Sequence, residues 1–180
     1  MLRIIWITSS GGTSGERPES STDCLIPISM YNNRVVVYTS GTFDMFHSNH
    51  LKMIEYARGL GDTLIVGVST DELVASYKNP PIIPFEERIA IIKALKYPDI
   101  VIPQRTLDHT EAVKKMNIDV FVVGDDWVGK YDYLKELGVT VFYFPRGEGA
   151  STTEIKKTIL DRYHGTIRAI DHQPNPDVVK

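Results

Sequence analysis

Short runs of β-branched and other apolar residues alternate with helical patterns through most of this 180-residue chain. Buried strands of a parallel sheet are continuous apolar runs of this kind, whereas the segments between them repeat apolar residues every three or four positions. Regular alternation of strand and helix is typical of a parallel sheet with helices on both faces. The predicted strands cover residues 35–38, 63–68, 100–102, 120–123 and 139–144.

The helical patterns complete an α/β fold that we expect to be Rossmann-like, with a doubly wound parallel sheet of five strands. Helices are predicted over residues 49–60, 71–77, 85–96, 110–116, 131–137 and 151–163. Sheets of this class bind ligands beyond the carboxyl ends of their strands, where the strand order reverses. The loops that follow the strands are therefore where functional residues are expected.

The pattern divides the chain into an N-terminal extension (1–34), one domain (35–163) and a C-terminal tail (164–180). Residues 9–23 are rich in serine and glycine and are predicted to be a linker or a disordered loop. Residues 3–8 are either an extra edge strand or a segment unrelated to the main fold. The tail contains Pro174 and Pro176 and is expected to be loosely held.

Composition excludes several classes of function. Twenty Lys and Arg against 23 Asp and Glu leave a net charge of −3, which argues against nucleic acid or an anionic membrane as a partner. The single cysteine, Cys24, cannot form an intramolecular disulfide, so we expect a reducing, cytoplasmic location. The apolar runs are far shorter than the about 20 residues of a membrane span, and no secretory signal is expected.

The turn after the first predicted strand carries two imidazoles at the start of a helix. Residues 41–50 read GTFDMFHSNH, with Ser48 or Asn49 as the N-cap. Exposed N–H groups and the helix dipole favour an anion there, so His47 and His50 are candidates to face a phosphate. The alternatives are histidines that only solvate the helix end, or a metal site that includes Asp44.

A second anion site is predicted at the start of the last helix. Residues 144–156 read FPRGEGASTTEIK, which places Arg146 after a strand and the hydroxyls of Ser151 and Thr152 at the helix N-terminus. Hydroxyls and N–H groups there are suited to phosphates, and a guanidinium adds a bidentate contact. A simple capped surface helix is the alternative.

The segment 41–50 resembles the GTFD…HxGH signature of the cytidylyltransferase branch of the nucleotidyltransferases. Residues 60–73 (LGDTLIVGVSTDEL), 84–103 (PFEERIAIIKALKYPDIVIP), 119–136 (DVFVVGDDWVGKYDYLKE) and 144–156 are similar, in the same order, to blocks of the glycerol-3-phosphate cytidylyltransferases. The resemblance implies transfer of CMP from CTP to glycerol 3-phosphate, giving CDP-glycerol and pyrophosphate, with Mg²⁺ as cofactor and a homodimer as assembly. An adenylyltransferase of the same fold and a non-catalytic nucleotide-binding module are the alternatives.

The resemblance also implies roles for individual residues. It assigns His47 and His50 to the α-phosphate, and Lys78 and Arg146 as further catalytic cations. The nucleotide-binding residues that it implies are Thr42, Phe43, Asp44, Arg88, Asp125, Ser151 and Thr152. Asp99 is the expected metal ligand, with structural pairing as the alternative, and Asp44 either positions a phosphate-bound metal or braces its turn. Trp127 is either a wall of the pocket or a packing residue.

Four positions depart from the motifs that the chain resembles. Asn49 stands where HxGH has its glycine, and it either crowds the phosphate or hydrogen-bonds to it. Gly147 lacks the hydroxyl that the RTEGIST motif has there, Ala150 differs within the same motif, and Lys96 replaces an arginine. A lysine keeps the charge but loses the planar fork of the guanidinium.

Overall fold

The computed structural model describes residues 34–147 and 151–171, with side chains described as far as residue 164. The predictions for residues 1–33 and 172–180 lie outside the described residues. So do Glu148, Gly149 and Ala150, which belong to the second predicted anion site.

Five strands form one parallel sheet in the order β3-β2-β1-β4-β5. They are β1 Val36–Gly41, β2 Thr63–Ser69, β3 Ile100–Gln104, β4 Val120–Gly124 and β5 Thr140–Phe144. All four neighbouring pairs are parallel, which confirms the predicted fold class. The chain builds outward from β1 to β3 and then returns to the other side of β1, so the strand order reverses between β1 and β4.

Helices connect the strands on both faces of the sheet. They are α1 Ser48–Arg58, α2 Asp71–Ala75, α3 Phe85–Lys93, α4 Thr110–Met116 and α5 Thr152–Asp171. The helix predicted over 131–137 is a 3-10 helix, Asp132–Leu137, which ends at Gly138 with φ +83°. Helix α5 continues to Asp171, so the predicted end of this helix at Tyr163 is wrong.

Two apolar layers enclose the sheet, one on each face. On one face Val37 and Val66 pack with Ile54 of α1 and Ile92 of α3. On the other face the core includes these residues: Tyr38, Ile65, Phe121, Val113 of α4 and Leu134. Val37 and Tyr38 are consecutive and point to opposite faces, as a strand requires. Within the described part of the chain no helix is long and apolar enough to cross a membrane.

Aspartates that precede strands bind backbone N–H groups at the amino edge of the sheet. Val35 donates to Asp62, Val36 to Asp119 and Leu64 to Asp99, at 2.8 to 2.9 Å. Asp99 also accepts from Arg58 at 3.1 Å. Because residues before a parallel strand lie at the edge opposite to its carboxyl end, Asp99 is remote from the ligand-binding edge. Its expected role as a metal ligand there is replaced by structural pairing.

Candidate active site

A cleft of about 430 Å³ opens beyond the carboxyl ends of the strands. The predicted site residues that line it are Thr42, Phe43, Asp44, His47, His50, Lys78, Asp125, Arg146, Ser151 and Thr152. The loops after β1, β4 and β5 and the start of α5 therefore converge on one volume, at the place where the strand order reverses.

The turn between β1 and α1 holds two non-glycine residues in the left-handed region. Phe43 has φ 54° and Met45 has φ 51°. The buried Phe43 ring contacts the rings of Phe46 and His50, with centroids 6.5 and 5.4 Å away. Such conformations cost on the order of 1 kcal/mol each and persist where packing determines them. Aromatic packing thus fixes the turn that presents the histidines.

His47 and His50 form a stacked pair. Their ring centroids are 3.8 Å apart and the rings are inclined by 22°. Burial, and then the charge of His47, lower the pKa of His50 to about 3, while burial and the nearby Arg146 lower the pKa of His47. Without a ligand both rings are therefore neutral near pH 7. Their buried Nδ1 atoms have no hydrogen-bond partner among residues 34–147 and 151–171.

Cationic side chains supply the positive charge that the neutral imidazoles lack. Arg146 follows β5, where its guanidinium pairs with Asp126 and its N–H donates to Asp125 Oδ2 at 2.9 Å. Lys78 faces the cleft, and burial lowers its pKa. Lys156 was missed by the sequence analysis, although its place four residues after Thr152 puts both on one face of α5.

Asp44 braces the site, which was one of the two roles open to it. Its carboxylate accepts from the N–H groups of Ile82 and Ile83 at 3.0 Å and pairs with Lys156 Nζ at 2.9 Å. Burial opposes its ionisation, but the bonds from Ile83, Lys156 and Ile82 outweigh that effect and lower its pKa. Its backbone carbonyl also accepts from Thr152 Oγ1 at 2.9 Å. Asp44 therefore ties its turn to the 79–84 loop and to α5.

Arg88 lies beneath the cleft rather than in it, so a direct contact with the nucleotide is replaced by a positioning role. Its side chain is 0% exposed. The guanidinium donates to the carbonyls of Thr42, Ser69 (2.8 Å) and Ile83 (2.9 Å), and it pairs with Asp71 at 2.6 Å. One cation thereby holds together the chain after β1, the end of β2 and the 79–84 loop.

The start of α5 combines a helix cap with a face of the cleft. Ser151 N–H donates to Glu154 Oε2 at 3.1 Å, and Glu154 N–H donates to Ser151 Oγ at 3.2 Å. This reciprocal pair is a capping box, which satisfies donors at the helix N-terminus. The helix cap and the cleft thus share residues, because Ser151 and Thr152 also line the cleft.

Two polar residues that the sequence analysis missed, Ser69 and Gln104, line the β2 and β3 side of the cleft. Ser69 Oγ donates to Gln104 Oε1 at 2.8 Å, and both side chains are buried. Trp127 lines the cleft and packs against Tyr77 and Tyr131, with centroids 5.8 and 5.6 Å away, so it is both a wall and a packing residue.

The metal site considered around Asp44 is not formed. In the two described ranges, no group of three or more His, Cys, Asp or Glu side chains is placed to hold a metal ion. The Asp44 carboxylate is already used by two backbone N–H groups and by Lys156.

A family model described as cytidylyltransferase-like matches residues 38–158. The glycerol-3-phosphate cytidylyltransferase of Bacillus subtilis (strain 168) is 44% identical over 124 residues, which cover 68% of this chain and 95% of that protein. The enzyme of the same name from Staphylococcus aureus (strain NCTC 8325 / PS 47) is 39% identical over 130 residues, 72% of this chain and 96% of that protein.

A solved structure supports the same relationship. The crystal structure of the lipopolysaccharide core biosynthesis protein from Thermoplasma volcanium GSS1 has a TM-score of 0.55 and 26% identity, and the match covers 65% of this chain and 99% of that one. With the family model and the two enzymes above, it shows that this chain is a nucleotidyltransferase of the cytidylyltransferase-like family.

Proposed function

We propose that this protein transfers CMP from CTP to glycerol 3-phosphate and releases CDP-glycerol and pyrophosphate. The observation that carries the proposal is the meeting of the His47–His50 pair and the α5 N-terminus at one cleft that also holds Arg146 and Lys78. The names of the two bacterial relatives, each matched over nearly its whole length, support the choice of nucleotide and acceptor.

In the proposed reaction an oxygen of glycerol 3-phosphate attacks the α-phosphorus of CTP. A new P–O bond forms while the bond from the α-phosphorus to the bridging oxygen breaks, and pyrophosphate leaves with that electron pair. No covalent intermediate with the protein is required. Catalysis of such a transfer consists mainly of positioning and of stabilising charge on the phosphoryl oxygens.

Different residues of the cleft are suited to different phosphates of the substrates. The imidazoles of His47 and His50 each carry at least one N–H, whether neutral or protonated by CTP binding, and can donate to the α-phosphate oxygens as charge develops in the five-coordinate transition state. Arg146, the Ser151 hydroxyl and the N–H groups of Thr152 and Thr153, which lie outside the Ser151–Glu154 capping box, suit the β- and γ-phosphates. Lys78 lies on a loop between α2 and α3 and lines the cleft, and we assign it to the phosphates of both substrates.

Mg²⁺ enters the proposal as part of the substrate, bound to the triphosphate of CTP. Magnesium is commonly held by substrate phosphates with few protein ligands, which agrees with the lack of a metal-binding cluster among the described residues. We also propose a cytoplasmic homodimer. The exposed side chains of Ile159, Leu160 and Tyr163 on α5 support an interface, and light scattering of the purified protein tests it.

Pyrophosphate release measured with paired nucleotides and acceptors tests the proposed activity. CTP with glycerol 3-phosphate is expected to give the highest kcat/KM, and mass spectrometry should identify CDP-glycerol. Turnover with ATP in place of CTP would instead favour an adenylyltransferase. Tight binding of CTP with no product from any phosphorylated alcohol would favour a non-catalytic module.

Glutamine variants of the two histidines test the site itself. His47→Gln and His50→Gln keep a hydrogen-bonding amide but lose the imidazole geometry, and each is expected to lower kcat by at least about a hundredfold. His109→Gln is the matched control, because His109 is buried in the core on the other face of the sheet from α1. Equal kcat in the wild type and both site variants would contradict the assignment.

A further inference from the structure

The side chain of Asn49 links the first turn of α1 to the loop that carries Arg146. Asn49 Nδ2 donates to the carbonyl oxygen of Gly147 at 3.2 Å, across 98 positions of sequence. Asn49 lies between the two imidazoles in the chain, and Gly147 directly follows Arg146. This hydrogen bond therefore joins the neighbourhoods of the two groups that the proposed reaction needs at fixed separation.

Gly147 leaves the space that this amide occupies. A Cβ atom at position 147 would lie 3.2 Å from Asn49 Oδ1 and 4.0 Å from its Cγ. The shorter distance is tighter than an ordinary van der Waals contact, so the amide would have to shift. The backbone of Gly147 is not in the left-handed region that favours glycine, unlike Gly129 and Gly138. Space, rather than backbone conformation, is what glycine provides here.

The same loop is held on its other side by residues that follow β4. Asp125 accepts from the N–H of Arg146 at 2.9 Å, and Asp126 pairs with the Arg146 guanidinium. Asn49 adds a contact from the α1 side, so the backbone on either side of Arg146 is anchored to two different elements. The position of the guanidinium relative to the imidazoles is thereby constrained from both directions.

We propose that Asn49 is a positioning residue, which fixes the Arg146 loop against the His47–His50 turn, and that Gly147 is the matching position that admits its amide. The Asn49 amide thus donates a hydrogen bond to the protein itself. The inference rests on the proposed function, because the phosphates of CTP are the ligand for which this spacing matters.

A double-mutant cycle on Asn49 and Gly147 tests this pairing, with the dissociation constant of CTP measured by calorimetry in the absence of acceptor. Asn49→Gly and Asn49→Ala are each expected to weaken CTP binding roughly fivefold, the effect of one hydrogen bond. The same variants should raise KM for CTP more than they lower kcat, because the imidazoles remain. Gly147→Ala should weaken CTP binding in the wild type but not further in the Asn49→Gly background.

Non-additivity is the decisive readout, since residues that contact each other couple while independent ones do not. The matched control is Asn117→Gly, because Asn117 ends α4 with φ 50°, where glycine is well suited, and lies outside the cleft. It should bind CTP as the wild type does. Equal effects of Gly147→Ala in both backgrounds, or CTP binding within twofold of the wild type in both Asn49 variants, would overturn the inference.

The acceptor-free measurement separates this inference from the proposed function. A wild-type protein that binds CTP but does not convert glycerol 3-phosphate would refute the proposed activity, while the cycle would still decide the coupling. Normal CDP-glycerol synthesis with additive CTP affinities would refute the coupling alone.

Discussion

The buried Arg88 gives a sharp test of how the loops around the cleft are held. Replacing it with leucine keeps an apolar stem but removes the donors to three backbone carbonyls, those of Thr42, Ser69 and Ile83. Leaving a buried acceptor without its donor costs about 1 to 3 kcal/mol, and removing one partner of a buried ion pair costs on the order of 3 to 5 kcal/mol. Its partner Asp71 is 42% exposed and regains water, which reduces the penalty.

Arg88→Leu should therefore lower the free energy of unfolding by about 4 kcal/mol, and Arg88→Lys by about 2 kcal/mol, because one ammonium cannot reproduce the planar fork. Urea unfolding followed by circular dichroism measures both. Arg58→Leu is the matched control: Arg58 is 36% exposed and pairs with Asp99 near the surface, so about 1 kcal/mol or less is expected.

The structural role and a direct phosphate contact give opposite patterns for Arg88. If Arg88 bound the nucleotide, Arg88→Lys would weaken CTP binding and leave stability unchanged. A loss below about 1 kcal/mol for Arg88→Leu would refute the reasoning from buried carbonyls.

Three further predictions concern the packing of the core and the protonation of the histidines. A Cβ atom at Gly67 would lie 2.2 Å from the buried Tyr38 hydroxyl, so Gly67→Ala should destabilise the fold by about 2 kcal/mol, and Tyr38→Phe should recover part of the loss in chemical denaturation. Burial lowers the pKa of His109 to about 4, so the unfolded chain binds a proton that the folded chain does not, and stability falls as pH drops from about 6.5 towards 4. His109→Phe should remove about 2 kcal/mol of the stability difference between pH 7 and pH 5, and an unchanged difference would contradict this cause. Because His47 and His50 are neutral without ligand, CTP should raise the pKa of at least one, and calorimetry in buffers of different ionisation enthalpy should detect proton uptake at pH 6 to 7. Binding without proton uptake would contradict that electrostatic picture.

Local pattern was enough to predict the sheet, because every strand is a compact apolar run between polar segments. The strand ends were less accurate: β1 and β3 each continue beyond the prediction, to Gly41 and Gln104, through residues whose polarity hid their backbone pairing. Helix α5 was predicted to end at Tyr163 because residues 164–180 show little periodicity, whereas the backbone remains helical to Asp171.

The candidate site was predictable for residues whose position follows from the order and direction of the strands. Residues after β1, β4 and β5 had to share one edge, and they do. The motif that contains Asp99 led to the wrong prediction that it binds a metal at the ligand-binding edge. Its position before β3 indicates the amino edge of the sheet, which is the opposite one. Arg88 precedes the buried Ile89 in α3, but which neighbour of a buried residue turns inward depends on the packing of distant loops. The contact of Asn49 with Gly147 could not be predicted from the sequence, because the two residues are 98 positions apart.

The central position of β1 has a consequence for dividing the molecule. Strand β1 pairs with β2 over six positions but with β4 over only three. The pairing of β1 with β4, which joins the β1–β3 part of the sheet to the β4–β5 part, is therefore the shortest in the sheet. A chain cut between β3 and α4 would leave the paired imidazoles on one fragment and Arg146 with Ser151 on the other. Neither fragment would carry the complete set of residues that the proposed reaction assigns to the triphosphate.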